Sequence, residues 1–114
     1  MENKFEDKRQ VPRLKINYLM KYCKENSPAR FHAFFNDVSE KGIRFLAKEL
    51  IPEKTPVLIE LPCDSQLLTM NGKVVWHNEL GSNFYELGVS FEGVSAQNKE
   101  SLNRYMQGLR EKLN

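Results

Sequence analysis

The chain has 114 residues, enough to bury a single hydrophobic core without a metal or disulfide staple. With 40% apolar and 28% charged residues, wholesale disorder is excluded. A formal charge of +2, from 17 basic and 15 acidic residues, is too balanced for a general binder of polymeric nucleic acid, so any anion recognition has to be local.

Two further classes fall away on local patterns. Cys23 and Cys63 form no C-x-x-C or Cys/His cluster, so neither a zinc site nor a redox pair is signalled, and both read as reduced thiols in or near strands. The opening MENKFEDKRQ has no apolar signal-peptide region, and no apolar run reaches the roughly 18 residues of a membrane span. The expectation is a soluble, cytoplasmic protein without membrane insertion.

In chain order, Leu14, Ile16, Tyr18, Met20 and Tyr22 alternate with mostly polar residues, the period of a half-buried strand. KENSP supplies a turn, and ARFHAFFNDVS resumes an extended pattern that closes in DVSEKG. GIRFLA is a short strand, KELIPEKTP a proline-bounded connection, and VLIELP a strand stopped by Pro62. QLLTMNGKVVWHNEL is extended, with Asn71-Gly72 predicting a bulge or tight turn inside it. After GSN, FYELGVSFEG gives a last strand with Gly88 at its middle.

The period then changes. Ser95 can cap a helix over about 95–113 in which Leu102, Tyr105, Met106, Leu109 and Leu113 share one face. Gly108 weakens that helix by roughly 1 kcal/mol relative to alanine, yet the stripe survives. Six or so short strands followed by one helix predict a mainly β protein, a small antiparallel barrel with a C-terminal helix packed on it.

Two polar constellations stand out. In RQVPR, Pro12 fixes one φ angle and disfavours helix at Val11, so Arg9 and Arg13 read as guanidiniums on a short extended arm over residues 1–13, able to fold over a ligand. In DVSEKG, a continuous strand would set Asp37 and Ser39 on the same side about 7 Å apart, and Gly42 allows close backbone approach. An arginine fork matches guanine O6 and N7, a carboxylate suits guanine N1 and N2, and phosphates take the remaining donors. The set is complementary to a phosphorylated purine.

RQVPR followed by DVSEKG resembles the paired RxxxR and (D/N)xSxxG motifs of the PilZ domain, a bacterial receptor module for cyclic di-GMP, and GKVVWHNELGSNFYELGVSF is similar to the later strands of that family. The resemblance implies a six-stranded PilZ-like barrel over 14–114 that binds cyclic di-GMP on its outer surface, closed over by the arm. Carried over by position, Arg9, Arg13, Asp37, Ser39 and Gly42 would form the ligand site. Lys8, just before the first arginine, holds a position implied to influence whether one ligand or an intercalated pair binds. Trp76, where a stacked base could gain about 1–3 kcal/mol, and Arg44 in GIRF are secondary candidates.

Each of these residues also has a plainer reading: a solvated basic arm for Arg9 and Arg13, local turn bonds for Asp37 and Ser39, packing for Trp76, an ordinary strand position for Arg44. The expected function is a cyclic di-GMP receptor and adaptor that signals by ordering its arm and contacting an effector protein. The alternative is a nucleotide-independent PilZ-like interaction protein of type IV pilus assembly. A single-strand-binding barrel would need a basic, aromatic-lined groove, which the charge disfavours. An enzyme is not expected: His32 and His77 lack partners at metal or triad spacing, and no phosphate loop occurs.

Overall fold

The computed structural model describes residues 18–63 and 66–113, with the side chains of 63 and 110–113 outside the description. Lys8, Arg9, Arg13, the arm as a whole, and the first predicted strand positions, Leu14 and Ile16, therefore lie outside the described residues. The elements run β1 (Tyr18–Lys24), β2 (Phe31–Val38), β3 (Gly42–Ala47), β4 (Pro56–Cys63), β5 (Gln66–Gly81), β6 (Phe84–Glu92) and α1 (Ala96–Leu113). These six strands close into an antiparallel barrel in the order β1-β2-β3-β6-β5-β4.

The alternation in the sequence translates directly into burial. Met20 and Tyr22 of β1, Ala33 and Phe35 of β2, and Ile43, Phe45 and Ala47 of β3 point inward and are buried. Val57, Ile59, Leu61, Leu68, Met70, Val74, Leu87 and Val89 continue the core, so the barrel is filled by its own side chains. Tyr22 and Phe45 sit with ring centroids 5.3 Å apart, and Tyr18 stacks on Phe35 at 5.5 Å. Each fully buried side chain of this size contributes about 1.5–3 kcal/mol.

The helix is anchored as its stripe predicts. The Ser95 hydroxyl accepts the Asn98 N–H at 3.0 Å, which caps the first turn. Leu102 and Leu109 are buried, Tyr105 and Met106 pack against the core, and the Tyr105 ring lies 6.3 Å from that of Phe35.

Two sequence expectations need correction. Pro62 does not stop its strand: β4 runs on to Cys63, because beyond Glu60 its pairing among the described residues is with β5 alone, and a one-sided position tolerates the missing N–H. Asn71-Gly72 makes neither a turn nor a bulge. Gly72 sits in continuous register between Val57 and Phe91, and an added Cβ there would come 2.5 Å from Val89 Cγ1. It is glycine because strands pack closely. The bulges fall elsewhere, at Phe35/Asp37 in β2 and at Val74/Trp76 and Glu79/Gly81 in β5.

Candidate functional site

A pocket of about 370 Å³ opens on the outer wall of the barrel, lined by the β2–β3 turn, β3, the bulge of β5 and the middle of β6. Asp37, Ser39, Gly42, Arg44 and Trp76 all line it. Five of the eight residues singled out from the sequence thus converge on one surface, and the other three, Lys8, Arg9 and Arg13, lie outside the described residues.

The β2 bulge sets Asp37 in place. Phe35 pairs with Phe45 and Asp37 with Arg44, so Asn36 and Asp37 together oppose Arg44 and the strand turns its carboxylate toward β3. Arg44 donates through Nη2 to Asp37 Oδ2 at 2.7 Å, and its Nε lies 3.7 Å from Glu86 Oε2. Asn36 Nδ2 donates to the same Glu86 oxygen at 3.3 Å. The Asp37 side chain keeps 40% of its surface exposed, against 16% for Arg44, so the arginine is the more buried member of the pair.

Ser39 differs from its expected placement. β2 ends at Val38, so Ser39 belongs to the turn rather than to a strand face shared with Asp37. Its N–H donates to the Gly42 carbonyl at 2.9 Å and its hydroxyl accepts the Lys41 N–H at 3.1 Å. The local-turn reading of Ser39 therefore holds together with its place in the pocket, since a hydroxyl that accepts one bond still has a proton to donate.

Glycines clear the floor. A Cβ on Gly42 would collide with the Val89 carbonyl oxygen, and one on Gly88 would enter the indole of Trp76. Trp76, the residue paired with Gly88 after the β5 bulge, lies over the backbone of β6 and walls the pocket with an aromatic surface 36% exposed. Val75 adds an exposed apolar neighbour.

Charges at the described surface nearly cancel: Lys41 and Arg44 against Asp37 and Glu86. Lys41, Ser90, Val75, Gly88 and the supporting Glu86 were not assigned to the site from the sequence. Gly88 carried a usable signal, a glycine in the middle of a strand, which often marks close approach. Glu86 carried none, because its role follows from the β3–β6 pairing of Leu46 with Glu86 beside Arg44.

Among the described residues no group of three His, Cys, Asp or Glu side chains gathers as a metal site, and no helix is long and apolar enough to cross a membrane. Cys23 is a free, half-buried thiol in β1.

A filled barrel thus carries a glycine-floored groove on its outer wall. The chain belongs to the PilZ domain family, whose model matches residues 7–108 and so takes in both motifs. Solved structures agree in fold. The PilZ domain of CeSA from a cellulose-synthesizing bacterium superposes with a TM-score of 0.62 at 16% identity, over 88% of this chain and 99% of that one. MrkH of K. pneumoniae in complex with c-di-GMP gives 0.68 at 13% identity over 93% of this chain and 54% of its own. The Bacillus subtilis inhibitor of motility gives 0.62 at 18%, over 94% and 52%. The chain thus spans about half the length of these last two proteins. No curated protein sequence matches it.

Proposed function

We propose that the protein is a cyclic di-GMP receptor that works as an adaptor rather than an enzyme. Asp37, held by Arg44, accepts the guanine N1 and N2 donors, Ser39 and Gly42 offer a hydroxyl and an open backbone, and Trp76 presents a face to a base. Arg9 and Arg13, with Lys8 beside them, supply the positive charge for the phosphates, which the balanced floor lacks.

The observation that carries this reading is the register of β1. Tyr18, the first described residue of the strand, pairs with Phe35, two residues before Asp37, so this end of β1 lies at the end of the barrel where the groove is. Arg13 is five residues upstream of Tyr18, within about 17 Å of extended chain. Family membership and the fold shared with the MrkH–c-di-GMP complex support the same ligand. Binding then orders the arm over the groove, and the reshaped surface is read by an effector protein in the cytoplasm.

The test is a calorimetric titration with cyclic di-GMP, with GTP and cyclic GMP as controls. Selective binding at micromolar or tighter affinity, abolished in Arg9→Ala/Arg13→Ala, is expected. Arg13→Ala alone removes a charge-assisted contact of about 1.5–3 kcal/mol and weakens binding about tenfold to a hundredfold, with the circular dichroism unchanged. No binding by the folded protein would overturn the receptor reading in favour of a nucleotide-independent interaction module.

A further inference from the structure

β5 has two neighbours for only part of its length. Its last partner on β4 is Pro56, opposite Lys73, and Val74 then exchanges backbone bonds with the preceding loop: it accepts from the Lys54 N–H at 2.7 Å and donates to the Thr55 carbonyl at 3.0 Å. From Val75 to Gly81, β5 pairs with β6 alone among the described residues, and each of these residues is exposed. Among the described residues, the hairpin leaves the barrel wall with one open edge.

Soluble proteins commonly blunt such an edge with lysine, proline, a β-bulge or a very short strand. The run VWHNELG has no lysine, arginine or proline, and it exposes Val75 and Leu80 at 48% each and Trp76 at 36%. The two bulges bend its ends, yet Trp76, His77, Asn78 and Glu79 stay in step with Gly88, Leu87, Glu86 and Tyr85. The unpaired backbone is therefore regular enough to accept another strand.

We propose that a second copy of this chain docks here, the two β5 edges pairing antiparallel about Asn78. That register is self-complementary. His77 of each copy faces Glu79 of the other, Asn78 meets its own counterpart on the two-fold axis, and Trp76 comes beside Leu80 at the Glu79/Gly81 bulge. A one-residue slip in either direction sets Asn78 against Glu79 or His77 and so breaks both His77–Glu79 pairs. A foreign peptide would have to bring this complement, whereas the segment supplies it to itself. With about six residues a side, against roughly 20–30 in a standard interface, the dimer is weak and concentration-dependent.

Sedimentation of the nucleotide-free protein tests this independently of the receptor reading. A reversible dimer is expected. His77→Glu sets two like-charged pairs across the axis and weakens it about tenfold, and His77→Glu/Glu79→His restores it. In a Cys23→Ser/Cys63→Ser background, Asn78→Cys is expected to form an intermolecular disulfide, since antiparallel Cα separations of about 4.5–5.5 Å suit that bond. A folded protein that stays monomeric to about millimolar concentration, or a dimer indifferent to His77→Glu and unlinked by Asn78→Cys, would overturn the proposal, as would capture of only a heterologous extended peptide at this edge.

Discussion

Two polar clusters on this barrel use the same chemistry to opposite ends. At one, Glu49 accepts from the Tyr22 hydroxyl at 2.6 Å and from Lys24 Nζ at 2.8 Å, while the same ammonium lies 5.8 Å from the Phe31 ring centroid. Its carboxylate oxygens are each taken by a side chain, and the cluster ties the β3–β4 connection to β1. At the other, Arg44 holds Asp37 and approaches Glu86, but the ground beside them is cleared by Gly42 and Gly88 and roofed on one side by Trp76. Charge alone does not make a site here. The absent side chains next to the charges do.

The sharpest way to break this contrast is to fill the floor. Gly88→Val drives a side chain into the Trp76 indole, so the groove should close. A loss of cyclic di-GMP binding by about a hundredfold or more is expected by calorimetry, with about 1–3 kcal/mol of stability lost to overpacking in denaturant unfolding. Arg44→Ala comes next. It leaves Asp37 and Glu86 without their shared cation, and about 1–3 kcal/mol of stability and about tenfold in affinity should go together.

Changes at the closed cluster should touch stability only. Tyr22→Phe removes one hydrogen bond to Glu49 and is expected to cost about 1 kcal/mol with the titration isotherm unchanged. Burial pushes the Glu49 carboxyl upward, but the hydrogen bonds from Lys24 and Tyr22 and the ammonium charge outweigh it and hold the group below the ordinary carboxylate range. Its contribution is present above its unfolded pKa and is lost as pH falls through the folded value. The stability gap between the native protein and Glu49→Gln should therefore narrow from about pH 7 to about pH 3. Tyr22 is displaced the other way, raised by burial and then by its bond to Glu49 and that carboxylate's charge, so its contribution is complete below about pH 10 and fades only as the pH rises further. The smallest effect is expected at the helix cap, where Ser95→Ala should cost about 0.5–1 kcal/mol in thermal unfolding and leave binding intact.

Much of the architecture was legible in particular residues. Ile43, Phe45 and Ala47 alternate inside a strand whose start is marked by Gly42, and the structure begins and ends β3 at Gly42 and Ala47. Leu102, Tyr105, Met106 and Leu109 declare a helix face, and Ser95 its start. The motif DVSEKG announced the turn that lies in the groove. These features depend on neighbours within a few positions in the chain, which is where periodicity, capping and turn chemistry act.

What the sequence determined by itself was therefore the strand and helix periods, the barrel class they imply and the polar set near residues 37–42. What only the tertiary structure decided depends on strands far apart in the chain. Pro62 stays in a strand because, among the described residues, it is paired on one side only, and Gly72 stays straight because β4 and β6 flank it. Asp37 is turned by a bulge that exists only against Arg44. Trp76 becomes a wall because Gly88, on another strand, has no side chain to hold it off. Bulges and cross-strand contacts are properties of pairs, and a pair is fixed only when register brings its two members together.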